Sequence, residues 1–359
     1  MASLLQPPPT TAALLCGYYG EGNLGDDALL AILLAELPKS CRPWIMARHA
    51  STVRSLSDSA HIIDRRSPVA ILGSLQRVDV LILGGGSLIQ DSTSLWSLTY
   101  YLTIIVAARC LGVRIILWAQ GFGPLQQPLS RWLVCLVLPM ILSATWRDHL
   151  SLKLAKQVLP HHSMISAPDP VWCIPSRQWF GGEDIVICWR PTAVLSSAGW
   201  DLLLDALSRL AISTGAKLHW LAFHEHQDAA LPLILRNRRP ELADLWARSQ
   251  YSIAINLDKT MEKFSHSRLV LAMRLHALIL SQLSGSPSVA LSCDPKISAA
   301  ANIALVPCIE LQALPPVNKI VDQWLSLFDQ AADLQHVQLI GKNSSVHGQF
   351  LRDVLSQLS

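Results

Sequence analysis

Arg274 and His276 follow the apolar run Leu269-Val270-Leu271-Ala272-Met273 directly and open an apolar helical pattern. A guanidinium and an imidazole at the carboxyl end of a strand make a poor core and a good anion site. Further on, Ser292-Cys293-Asp294-Pro295-Lys296 ends the next strand and brings a third cationic group to the same edge. Arg147, in Thr145-Trp146-Arg147-Asp148, is a fourth. Guanidinium groups engage two oxygens of a carboxylate or phosphate at once. Converged, the four positions would hold a small, multiply charged anion shared between two domains.

Other segments could supply the second substrate. Gly17-Tyr18-Tyr19-Gly20-Glu21-Gly22-Asn23-Leu24-Gly25-Asp26-Asp27 joins a strand to a helix. Glycines there let the backbone approach a ligand, while Asp26 or Asp27 stands near the helix start, where it could equally serve as a cap. No Gly-Lys-Ser/Thr follows, so this is not a P-loop, and the spacing does not fit a dinucleotide turn. Gly84-Gly85-Gly86 repeats the pattern, with Gly85 and Gly86 expected to face a ligand. Gln120, in Gln120-Gly121-Phe122-Gly123-Pro124, belongs to a third glycine-rich loop. His224-Glu225-His226-Gln227-Asp228 has no partner motif for a metal and reads as acceptor binding or proton transfer, through His224 and Asp228.

These loops need a frame. Leu14 to Gly17, Val78 to Leu83 and Val113 to Ala119 read as buried strands, and Asp26 to Leu37 as a helix. The alternation of short apolar runs with longer helical ones signals a parallel α/β sheet, in which ligands bind at the carboxyl ends of strands. A turn-rich stretch from Pro168 to Gly182 reads as a linker. A second α/β series follows, with strands at Ile185 to Trp189, Leu218 to Phe223, Ser252 to Ile255, Leu269 to Met273 and Ser288 to Leu291. The expected fold is therefore α/β, with two Rossmann-like domains facing across a cleft in the GT-B manner. Residues 1–175 form an N-terminal domain on the acceptor side that contributes Arg147, and 183–345 a C-terminal anion-side domain; 346–359 form a C-terminal helix.

The 359 residues are 51% hydrophobic and 15% charged, enough to bury a large core. A mean hydropathy of +0.33 raises the question of a membrane span. The strongest candidate, Trp132 to Leu142, is about half the roughly 20 apolar residues a span needs, and Pro139 interrupts it. It reads as a buried helix, with a helix leaning on a bilayer as the alternative because Arg131 and Arg147 flank it. Met1 to Pro9 lacks the basic and apolar regions of a secretory leader, which suggests a cytoplasmic protein. The eight cysteines are scattered without a Cys-x-x-Cys pair and read as small reduced hydrophobes. A net charge of +3 gives no argument for nucleic acid.

Taken in order, these motifs resemble the polysaccharide pyruvyl transferases of the CsaB type. The resemblance runs through Gly17-Tyr18-Tyr19-Gly20 with Gly22-Asn23-Leu24-Gly25-Asp26, Leu83 to Leu88 with Gln90-Asp91, Ala119-Gln120-Gly121 with Gly123-Pro124, and Arg147-Asp148. It continues through Asp169-Pro170, Arg190-Pro191, Phe223-His224 with Asp228, Met273 to Leu278, and Asp294-Pro295-Lys296. Trp189, Thr192 and Cys293 depart from the family's usual residues, and the changes around Arg190 bear on acceptor choice more than on donor choice.

The resemblance implies transfer of pyruvate from phosphoenolpyruvate to a sugar as a ketal, often to N-acetylmannosamine of a lipid-linked cell-wall precursor. Arg147, Arg274, His276 and Lys296 are then the phosphoenolpyruvate contacts. Gly22, Asn23, Gly25, Gly85, Gly86, Gln120, Arg190, His224 and Asp228 line the acceptor side. His276 is either phosphate ligand or acid, since an imidazole ordinarily titrates near neutrality, and Asp26 is the chosen base. No metal or cofactor is expected, phosphoenolpyruvate being a co-substrate. A peripheral contact with the inner membrane face stays open. So do two other readings, a GT-B glycosyltransferase using a nucleotide sugar and a catalytically silent precursor-binding homologue.

Overall fold

The computed structural model describes residues 11–92 and 94–358. The Met1 to Pro9 segment, including its proline run, lies outside the described residues. The chain divides into two compact units. One comprises the chain up to Glu21, Asp26–Cys173 and Lys342–Ser359; the other comprises Gly22–Gly25 and Ile174–Gly341.

The first unit holds β1 (Thr11–Tyr19), β2 (Cys41–Ala47), β3 (His61–Asp64), β4 (Val80–Gly84), β5 (Arg114–Gln120), β6 (Ser143–Trp146) and β7 (Met164–Ser166). They form one parallel sheet in the order β3-β2-β1-β4-β5-β6-β7. Side chains of successive residues point to opposite faces. Leu14, Leu81, Leu83 and Leu117 pack against Leu98, Ile105, Val134 and Leu152 on one face. Leu15, Ile82, Ile116 and Trp118 pack against Leu30, Leu33 and Leu351 on the other. A sheet covered on both faces needs unbroken apolar strands, which is why β4 is Val-Leu-Ile-Leu-Gly with every residue buried. Each fully buried leucine of this kind stabilises the fold by ~1.5–3 kcal/mol.

The second unit holds β8 (Asp184–Cys188), β9 (Lys217–Ala222), β10 (Ser249–Ile253), β11 (Ser267–Ala272), β12 (Ser288–Ser292) and β13 (Cys308–Glu310). These too are all parallel, in the order β10-β9-β8-β11-β12-β13. In each sheet the order reverses once, between β1 and β4 and between β8 and β11. The crossovers leave in opposite directions at such a point, so the strand ends there open a crevice.

One segment differs from the sequence reading. Trp132 to Leu142 is not a wholly buried helix: Pro128–Val137 buries only Ser130, Val134 and Val137, and Trp132 and Leu136 are exposed. Pro139 then sits in a single 3-10 turn, Leu138–Met140. Among the described residues no helix is long and apolar enough to cross a membrane. At the other end, helices Leu334–Ser344 and Val346–Ser356 follow one another, and the second packs Leu351 and Leu355 into the first unit's core.

His347 fastens that second helix. Its Nε2–H donates to the Ala167 and Pro168 carbonyls, at 3.2 and 3.1 Å, and its Nδ1 accepts from the Thr145 hydroxyl at 2.9 Å. Burial pushes the imidazole down to about 4, the carbonyl bonds opposing it in part. The neutral ring is the folded form, so its stabilisation is complete above pH 6.5 and is lost as pH falls toward 4. Urea titrations should lose about 3 kcal/mol over that interval from this residue. His347→Gln should flatten the slope, and an unchanged slope would rule out His347 as its source.

Candidate active site

In the second unit the parallel register decides which side chains meet. Ala272 pairs with Cys188, and the Met273 amide donates to the Cys188 carbonyl at 3.0 Å. The next residues beyond the sheet, Arg274 and Arg190, therefore emerge side by side at the reversal of strand order. Burial, and then repulsion from Arg274, hold Arg190 below the usual arginine range. Its Nε is buried and has no hydrogen-bond partner among the described residues. Arg190, Arg274, Lys296 and Asp294 all act electrostatically on the half-buried Cys293 thiol, which burial pushes up.

Arg274 is not a free cation. It forms a two-pronged ion pair with Asp228, Nε to Oδ2 at 3.0 Å and Nη2 to Oδ1, and Nη2 also donates to Gln227 Oε1 at 3.0 Å. Asp228 is 2% exposed and also accepts the His224 amide at 3.0 Å. The pair thus fixes the Arg274 guanidinium in one orientation. Lys296 Nζ stands 3.1 Å from Asp294 Oδ2. Arg190, Arg274 and Lys296 against Asp228 and Asp294 leave these five side chains with one net positive charge.

Arg274 is also the residue before helix Leu275–Leu283, and its side chain does not cap that helix. A helix start of this kind turns its first amides toward the strand end, in the direction from which an anion would approach the guanidiniums. His276 lies in the first turn of the same helix. The Gly22–Gly25 segment belongs to this unit: Leu24 N donates to the Phe223 carbonyl at 3.1 Å, Glu225 N to the Gly22 carbonyl at 2.9 Å, and Asn23 bridges to His224. Gly25 packs so closely on His276 that a Cβ there would lie 2.0 Å from Nδ1. Gly22 has φ +71° and faces Glu225, which explains the glycine there.

In the first unit Arg147 is 6% exposed. Its Nη2 donates to Ser87 Oγ at 2.6 Å, its Nη1 pairs with Asp169 Oδ2 at 3.4 Å, and its buried Nε has no partner among the described residues. It lies against Gly121, where a Cβ would come within 2.9 Å of the guanidinium. Gln120 is fully buried: Nε2 donates to the Leu83 and Gly85 carbonyls at 3.1 and 2.7 Å, and Oε1 accepts the Leu88 amide at 3.4 Å. It braces the glycine turn from within. Gly85 packs on Leu29, whereas Gly86 faces Asp26, whose Oδ1 would lie 3.4 Å from a Cβ there.

The sequence reading did not single out three features. Glu21 pairs with Arg48 and Arg65 at 3.1 and 2.9 Å, and Arg65 also donates to Tyr101. Asp27 is pushed up to about 6 by burial, partly offset by the amide bond from Gly20 and reinforced by Asp26. Finally, Arg190 joins Arg274, a neighbour relation that the β8–β11 register alone reveals.

The model of the family described as polysaccharide pyruvyl transferase matches residues 23–295, more than half of the chain. The chain belongs to the polysaccharide pyruvyl transferase family. Comparison with curated sequences gave no match. Among solved structures this transferase is similar to the UDP-GlcNAc 2-epimerase from Neisseria meningitidis bound to UDP-GlcNAc, at 11% identity over 96% of this chain and 100% of that one, with TM-score 0.62. The UDP-GlcNAc 2-epimerase from Methanocaldococcus jannaschii is 8% identical over 96% and 99%, with TM-score 0.61. A glycosyltransferase from Rickettsia africae is 12% identical over 97% of each chain, with TM-score 0.55. These likenesses establish the GT-B fold for the pyruvyl transferase, with its two parallel-sheet units.

Proposed function

We propose that this family member transfers the pyruvyl group of phosphoenolpyruvate to two hydroxyls of an N-acetylhexosamine such as N-acetylmannosamine, as a ketal. The acceptor would belong to a cell-wall or surface polysaccharide precursor made on the cytoplasmic side, and phosphate would be released. The observation that carries this reading is the pairing of Arg190 and Arg274 at the strand reversal, beside an uncapped helix start and Lys296. One donor with both a carboxylate and a phosphate suits two neighbouring guanidiniums, a lysine and a helix start.

In the proposed reaction, protonation of the donor's methylene makes its neighbouring carbon electrophilic. One hydroxyl adds there, the carbon–oxygen bond to phosphate breaks, and the second hydroxyl closes the ketal. The hydroxyls give up two protons; one balances the new methyl group and the other leaves on phosphate. Arg190, Arg274 and Lys296 stabilise the departing charge. His276 either holds the phosphate or protonates the methylene. From the sequence, Arg147 is carried into the proposal as a further donor contact and Asp26 as the acceptor base. Gly22, Asn23, Gly25, Gly85, Gly86, Gln120, His224 and Asp228 are carried as the acceptor's surroundings.

The test is phosphoenolpyruvate-dependent phosphate release with N-acetylmannosamine-bearing acceptors. Lys296→Ala and His276→Ala should each lower it by ~10²-fold with an unchanged circular dichroism spectrum. A raised KM would mark His276 as ligand and a lowered kcat as acid. Normal turnover in either variant, or thermal stabilisation by nucleotide sugars and not by phosphoenolpyruvate, would overturn the reading.

A further inference from the structure

Four helices cover one face of the first unit's sheet: Pro68–Leu75, Leu95–Cys110, Pro128–Val137 and His149–Val158. None contains Asp or Glu. Together they carry Arg109, Arg131, Lys153 and Lys156, all exposed. The opposite face differs, since helices Leu24–Glu36 and Val346–Ser356 include Asp26, Asp27, Glu36 and Asp353. The carboxylate-free layer also exposes large apolar side chains. Trp96 is 85% exposed, Val69 82% and Trp132 59%, with Leu72, Leu129 and Leu136 exposed as well.

We infer that this face docks on an anionic lipid bilayer. Aliphatic and indole side chains enter the boundary between headgroups and acyl chains, and tryptophan favours that depth. The cations reach lipid phosphates while their stems lie along the apolar surface. A second copy of the chain is the weaker occupant, because a two-fold contact would turn helices whose charged side chains are all cationic upon themselves. Insertion is shallow and leaves the fold unchanged. The inference does not rest on the proposed reaction.

The test is co-sedimentation of the full chain with vesicles of phosphatidylcholine alone or mixed with phosphatidylglycerol. Binding should need the anionic lipid and weaken in high salt. Trp132→Ser/Leu136→Ser and Lys153→Glu/Lys156→Glu should each reduce it at least tenfold while vesicle-free phosphate release and circular dichroism stay the same. Recovery in the supernatant with anionic vesicles, or undiminished binding by both variants, would overturn the inference. So would a dimer in sedimentation that Trp132→Ser/Leu136→Ser separates, which would make the face a contact between copies.

Discussion

Arg274→Ala is expected to lower kcat/KM for phosphoenolpyruvate by ~10³-fold and, unlike substitution of Lys296, to destabilise the protein measurably. The guanidinium forms an ion pair with Asp228, whose side chain is 1% exposed. Removing one member of a buried pair leaves the other charged and desolvated, a cost of ~3–5 kcal/mol. Part of the loss should return in Arg274→Ala/Asp228→Asn, where no uncompensated charge remains. That double variant separates the two effects: stability recovers while phosphate release stays low. If activity recovered with stability, Arg274 would serve only to neutralise Asp228. Arg274→Lys should keep much of the stability and little of the rate, because an ammonium cannot span both Asp228 oxygens while presenting a planar edge to a second anion.

Gly25→Ala is the second large effect. The added methyl would sit 2.0 Å from His276 Nδ1, 2.6 Å from Cγ and 3.0 Å from Cβ. These atoms lie at the root of the ring, so a small rotation about the outer bond does not clear them. Either the imidazole turns away or the Gly22–Gly25 segment leaves its bonds to Phe223 and Glu225. A displacement of about 1 Å at a reacting group is worth ~10²-fold in rate, so phosphate release should fall by that amount. If ring displacement is the whole cause, Gly25→Ala and His276→Ala should not be additive. Full activity in Gly25→Ala would mean that His276 has no required position.

In the second unit β11 and β12 were legible because their inner residues form apolar, buried runs. Leu269 to Met273 and Ser288 to Leu291 match β11 and β12 within a residue or two at each end. Short or interrupted strands were not legible. β2 contains Pro43, and β7 is Met-Ile-Ser, so neither offers a long apolar run. At the candidate site the sequence indicated residue types but not their partners. It grouped Arg274 with Lys296 by spacing but did not bring Arg190 next to Arg274, since adjacency across β8 and β11 depends on register and not on distance along the chain. Nor did it anticipate that Asp228 would bind Arg274, a pairing 46 residues apart. Trp132 shows a further limit, since a run of apolar residues does not reveal whether it faces core or solvent.

The sheet of the first unit is completed by helix Val346–Ser356, which returns only after the whole second unit has been made. During synthesis on the ribosome, Ile116 and Trp118 must therefore wait with part of their face uncovered for Leu351 and Leu355. The second unit, apart from the short Gly22–Gly25 segment, is one continuous stretch and can assemble in the meantime. Maturation of this enzyme thus runs against the order of translation, a strand of the first sheet being sealed only after the second unit has been made.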